Sequence, residues 1–155
     1  TWSGDRMRKF EVEIDLPAQE LEEFETGDIS YIHAKFYAIN WRRLFLMQTQ
    51  VKNAEVSFAI LDIDTEQYLQ IQLNLQANSA EPVFEIQSNI PVMTENKEFL
   101  GFFTRKKKQD LVYKNLTQTQ VAEQLSLFLH GQVTEMSEQY KQLLHRKMLQ
   151  EHRLA

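Results

Sequence analysis

Leu69, Ile71, Leu73 and Leu75 alternate with Tyr68, Gln70, Gln72, Asn74 and Gln76. A period of two puts one side of a pleated strand in a core and the other in water, so this stretch predicts a half-buried strand. Just upstream, Val56 to Ile63 has apolar residues in both phases: Val56, Phe58 and Ile60, then Ala59, Leu61 and Ile63. That pattern predicts a strand buried on both faces. Asp64-Thr65-Glu66 between the two is polar and short, as a hairpin loop must be. The chain is therefore organised around a central antiparallel hairpin, Val56 to Gln76.

The same patterning extends in both directions. Phe10, Val12 and Ile14 alternate with charged residues across Arg8 to Asp15, a half-buried first strand. Pro17 ends it, and the acidic stretch Pro17 to Glu25 reads as a short helix capped by Asp15 and stopped by Gly27. From an Asp28 cap, Ile29, Ile32, Phe36 and Ile39 follow helical spacing, while Ile32, Ala34, Phe36 and Ala38 would share one face of a strand, so the segment to about Asn40 reads as helical or mixed. Phe45, Met47, Thr49 and Val51 then alternate, predicting a strand from about Arg43 to Val51, which Lys52-Asn53-Ala54 turns into the central hairpin. Beyond the hairpin, Asn78 to Pro82 is a turn, Val83 to Ser88 a strand, and Pro91 punctuates the next connection. Phe99 to Thr104 and Leu111 to Leu116 form a last hairpin, with Arg105 to Asp110 as its charged tip.

Thr117-x-x-Gln120 is a capping box, which marks the start of the longest helix. Its apolar stripe runs through Val121, Leu125, Leu129, Val133, Met136, Tyr140 and Leu143, widened by Leu127, Phe128, Leu144 and Met148. As one helix, Thr117 to His152 would be about 53 Å long at ~1.5 Å per residue. A domain of this chain length is roughly 40 Å across. Either the helix breaks at Gly131 or its last turns overhang; the expectation is an unbroken or gently kinked helix whose end, with Leu143, Leu144 and Met148, meets a second chain.

The expected fold class is α+β: an antiparallel sheet of about five to seven strands packed on a long C-terminal helix, preceded by a short strand and helix. That element order resembles the helix-grip (START-like) arrangement, which would imply a curved sheet wrapped around a C-terminal helix and an apolar cavity. A plain two-layer sandwich has the same order. At 155 residues the chain reads as one domain, 1–155, in which Met7 could be a natural start and Thr1 to Arg6 a flexible leftover.

Composition narrows the chemistry. The net charge of −5 disfavours nucleic acid as a partner, since phosphate contacts need a basic footprint. Without cysteine there is no disulfide framework, thiol nucleophile or Cys-ligated metal. No run approaches the ~18 apolar residues of a membrane span. With only four glycines and no P-loop or G-x-S-x-G, nucleotide enzymes and serine hydrolases lack their signatures. No cofactor is implied.

Three clusters stand out. Asp62, Asp64 and Glu66 are alternating carboxylates, but a calcium loop needs Gly where Gln67 stands and Glu where Leu73 stands, so a solvated hairpin end is the plainer reading. Arg105, Lys106, Lys107 and Lys108 could meet an anionic partner. Trp41, Arg42 and Arg43 could form an interface anchor of Arg stacked on Trp, or a core Trp beside solvated arginines. Of the histidines at 33, 130, 145 and 152, none forms a metal-binding pair on a helix. His33, among Tyr31, Phe36 and Tyr37, is the one to test.

These readings point to a non-enzymatic domain that binds a basic or partly apolar protein, as an adaptor, folding helper or toxin-neutralising protein does. Candidate contact residues are Trp41, Arg42, Arg43, Arg105 to Lys108, Leu143, Leu144 and Met148, and a homodimer through the C-terminal helix is one form of that contact. The alternative is a helix-grip-like carrier or sensor of an apolar small molecule, lined by Leu69, Ile71, Leu73, Leu75 and the C-terminal helix.

Overall fold

Strand alternation decides which side of the sheet the helices cover. In the computed structural model, which describes residues 8–47, 56–96 and 105–154, Leu69, Ile71 and Leu73 are buried while Tyr68, Gln70 and Gln72 face outward. They lie on β4 (Tyr68–Leu73), paired with β3 (Ser57–Asp62) as the central hairpin. The N-terminal hairpin is β1 (Phe10–Asp15) and β2 (Glu22–Thr26), followed by helices α1 (Ile29–Ala38) and α2 (Trp41–Leu46). After the central hairpin come β5 (Phe84–Asn96), β6 (Arg105–Leu116), α3 (Gln118–Leu129) and α4 (Val133–Leu154). The strands form one antiparallel sheet in the order β2-β1-β3-β4-β5-β6.

All four helices lie against the same face of that sheet. Phe36 of α1 meets Phe58 of β3 at 5.6 Å, and Trp41 of α2 meets Phe84 of β5 at 5.2 Å. Phe128 of α3 lies 6.4 Å from Phe10 of β1, and Tyr140 of α4 lies 6.0 Å from Tyr113 of β6. The result is a two-layer α+β architecture with its core between sheet and helices, as the element order predicts.

Local signals account for most elements. Asp28 caps α1 by accepting from the Tyr31 N–H at 3.2 Å. Thr117 and Gln120 complete the capping box of α3 in both directions.

Five expectations are corrected. The acidic stretch Pro17 to Glu25 is no helix: Leu16 to Gln19 makes a tight turn, with Ala18 at φ 59°, and Glu22 to Thr26 pairs with β1. Pro suits the second position of a turn as well as the start of a helix, and strand pairing outweighs glutamate's helix preference. Arg43 to Leu46 is helical, not strand, because Asn40 caps α2 through the Arg43 N–H at 3.1 Å and Trp41 and Phe45, four apart, are both buried. Pro91 does not end a strand but sits within β5, where the register shifts between Ser88 and Val92. A bulge is where a strand tolerates a residue without an N–H. Arg105 to Lys108 is not a hairpin tip: Arg105 pairs with Asn96 and Lys108 with Met93. Finally, the C-terminal helix breaks, between α3 and α4. Gly131 takes φ +74°, the Gln132 N–H bonds Leu127 O at 2.8 Å and the Gly131 N–H bonds Phe128 O at 3.0 Å. This is the glycine-dependent Schellman ending, in which a left-handed residue lets the last carbonyls find donors.

The readings of residues 1–7, of the stretch after Met47 through the turn at Lys52 to Ala54, and of the Phe99 to Thr104 strand fall outside the described residues.

Candidate functional site

With every described helix on one face, the other face of the sheet is left uncovered among the described residues. Its residues follow from the pairing register. One row runs Glu25, Glu11, Leu61, Tyr68; the next runs Glu23, Glu13, Ala59, Gln70, Gln87, Val112. Ala59, Leu61, Tyr68 and Gln70 are half-buried, and Glu11, Glu13, Glu23, Glu25 and Val112 are exposed. On this face Glu11, Glu13, Ala59, Leu61, Tyr68 and Gln70 line a shallow open depression of about 280 Å³. The floor is apolar and aromatic, and one rim is acidic.

That rim opposes its own strand pairing. Glu11 stands directly across from Glu25 and Glu13 across from Glu23. Like charges directly opposite on neighbouring strands are destabilising. Among the described residues, Glu11, Glu13 and Glu23 form no ion pair, and Glu25 has only Lys9 at 3.9 Å. Lys114 lies on β6, four strands from β1 in the sheet order.

The expectation that β3 is buried on both faces is corrected here. Phe58, Ile60 and Asp62 are buried, but Ser57, Ala59 and Leu61 are half-exposed, because no described helix lies over them. Ala59 and Leu61 were the missed signal: a second apolar phase need not mean a second covering layer.

A second concavity lies at the turn end of β1. Ile14, Leu16, Pro17, Ala38, Ile39 and Leu44 give it apolar walls, and Gln19, Asn40 and Arg43 add polar groups. It is an open cleft of about 480 Å³, bordered by the Lys35–Glu22 ion pair at 2.6 Å. The hydrogen bond that Lys35 donates to the Glu22 carboxylate is the main reason the Lys35 pKa is raised. This is not the cavity expected between the Leu69 face and the C-terminal helix. There Leu69, Ile71 and Leu73 are packed in the core, with Leu75 partly buried beside them.

The proposed contact residues divide. Trp41 is core, its Nε1–H donating to Phe36 O at 3.0 Å, while Arg42 and Arg43 are exposed on α2. Arg105 to Lys108 lie on β6, an edge strand, and lysines on an edge are a device against strand-to-strand association. Leu143 and Leu144 are half-buried against the core and therefore not an exposed stripe; Met148 is exposed.

Asp62 serves the fold. It pairs with Arg8, and its other oxygen accepts the N–H groups of Asp64 and Thr65 at 3.1 and 3.3 Å. Among the described residues, no group of three or more His, Cys, Asp or Glu side chains is placed to hold a metal ion. Burial, and then the nearby His130, push the His33 pKa below its ordinary value. Its neutral form is favoured, so stability is fully present above the unfolded value near pH 6.5 and declines as pH falls below it. His33 stacks on Tyr37 at 6.3 Å. No described helix is long and apolar enough to cross a membrane.

No protein-family model, curated protein or solved structure matches the chain. The functional reading therefore stands on the site itself.

Proposed function

We propose that this chain is a non-enzymatic protein-binding domain whose uncovered sheet face docks a basic, partly apolar segment. The observation that carries the reading is the rim of facing carboxylates, Glu11 against Glu25 and Glu13 against Glu23, beside the half-exposed floor of Ala59, Leu61 and Tyr68. A cationic segment with apolar side chains would relieve the repulsion and cover the floor in one contact.

The test separates docking from folding. A fluorescent, amphipathic Lys/Leu helical peptide is titrated into the full chain and into the double variant Glu11→Lys/Glu13→Lys. Each new Lys faces a Glu across the hairpin, so the variant should be as stable as the parent or gain roughly 0.2–1 kcal/mol per pair. Peptide affinity should nonetheless fall by about tenfold or more, and parent binding should weaken steeply with salt. Equal affinity for parent and variant, or no peptide binding at all, would contradict the reading.

The cleft supports a second reading, a carrier of a small amphipathic molecule. Its volume of about 480 Å³ is in the range that holds such ligands, and Arg43 could meet an anionic head group.

A further inference from the structure

We propose that the occupant of the open sheet face is the end of α4 from a second copy of this chain, so that two copies close into a reciprocal dimer. This rests on the reading of that face as a docking surface and names what fills it.

α4 has a packed half and an unpacked half. Met136, Ser137 and Tyr140 are buried and Leu143 and Leu144 half-buried, but every side chain from His145 to Gln150 is exposed. The backbone nevertheless stays helical to Leu154. His145 to Leu154 is thus about 15 Å of helix at ~1.5 Å per residue, with His145 to Gln150 exposed. Helical turns that pack on nothing are marginal in water.

The exposed turns carry their own pattern. Met148 and Leu149, 63% and 50% exposed, follow one another about 100° apart around the helix. At ~100° per residue, Arg146 falls about 60° from Leu149 and Lys147 about 100° from Met148, so the four side chains wrap most of the helix and give its end both cationic and apolar contacts. Among the described residues neither cation makes an ion pair.

The open face presents the complement. Ala59, Leu61 and Tyr68 form an apolar floor, and Glu11, Glu13, Glu23 and Glu25 an acidic rim. Among the described residues, the helix end from His145 to Gln150 is exposed, and the four carboxylates of the rim have one cation, Lys9 at Glu25. Because the chain as a whole carries −5, two copies repel on average, and association needs a local basic element such as Arg146 and Lys147. Each copy has both halves, so a two-fold arrangement makes the contact twice and leaves neither half open.

Light scattering on the full chain over a micromolar concentration series tests this. The expected mass rises from 18.4 kDa toward twice that value and falls back as salt is added. Arg146→Glu/Lys147→Glu and Glu11→Lys/Glu13→Lys should each weaken self-association by about tenfold or more. Mixing these two variants places acidic helix ends against basic faces and basic ends against acidic faces, so the mixture should recover the dimer mass. All four positions are exposed, and circular dichroism checks that each variant folds. A full chain that stays at 18.4 kDa throughout overturns the proposal, as does self-association that survives both variants or a mixture that fails to recover. If the chain is monomeric but the Lys/Leu peptide still binds through Glu11 and Glu13, the second copy is the wrong occupant and the docking surface stands. If neither binds, both readings fall.

Discussion

Replacing Arg8 by Met is expected to destabilise the fold by about 3–5 kcal/mol, because it strands a buried charge. Asp62 is 0% exposed at the end of β3 and sits in the core phase with Phe58 and Ile60. One carboxylate oxygen receives the Arg8 guanidinium; the other is occupied by the N–H groups of Asp64 and Thr65. Arg8 also donates to Leu129 O at 3.3 Å, supplying a cation to the C-terminal end of α3, and lies over the Phe10 ring at 5.4 Å. The Met side chain keeps much of the apolar stem but returns none of these polar contacts. Urea denaturation of Arg8→Met, Asp62→Asn and the double variant checks the account. The double variant should lose less than the sum of the two single losses, since the second change removes the charge the first exposed. A loss under about 1 kcal/mol for Arg8→Met would mean that the pair does not hold β1, β3 and α3 together.

Trp41→Ala is expected to cost about 3–5 kcal/mol, against well under 1 for Arg42→Ala or Arg43→Ala. Trp41 is 1% exposed, tilted against Phe36 at 5.2 Å and edge-on to Phe84 at the same distance. It ties α2 to α1 through Phe36 and reaches β5 through Phe84, and its indole N–H is satisfied by Phe36 O. Truncation removes a large buried ring whose space the surrounding aromatics cannot fill by small shifts. Urea denaturation reads the difference directly. Similar small losses for all three substitutions would place Trp41 at the surface, and with it the interface anchor that Trp41-Arg42-Arg43 suggests.

Periodicity made most of the sheet legible. Phe10, Val12 and Ile14, and Leu69, Ile71 and Leu73, lie where alternation puts them, since a strand with one covered face imposes a period of two. Capping was equally readable at Asp28 and at Thr117 with Gln120, because those side chains act within three residues of themselves. Errors came where short-range patterns compete. β2 has a single half-buried apolar residue, Phe24, and its strand character comes from pairing with β1 rather than from its own composition. In α2 the period-two reading through Phe45 and Met47 lost to the Trp41–Phe45 pair four residues apart and the Asn40 cap. At Gly131 the apolar stripe continued across a residue whose conformation ends a helix, so the stripe alone could not locate the break.

The open face was legible in part. Glu11 and Glu13 alternate with the core residues of β1, and Ala59 and Leu61 form the second apolar phase of β3. What the pattern lacked was the pairing that sets Glu11 against Glu25 and Glu13 against Glu23. That pairing depends on the β1–β2 hairpin, where the stretch reads as helix. The α4 stripe likewise gives Leu143, Leu144 and Met148 one character. Only packing separates the half-buried pair from the exposed Met148.

The sheet face left bare by the described helices is the surface we propose this domain uses. Backbone amide chemical shifts of the isotope-labelled full chain, followed during titration with the Lys/Leu helical peptide, test it most directly. The largest shifts are expected on Glu11, Glu13, Ala59, Leu61, Tyr68 and Gln70, with Ala38, Ile39 and Arg43 at the cleft unmoved. Shifts concentrated on α1 and α2 around that cleft, with the β1–β3–β4 face silent, would contradict it.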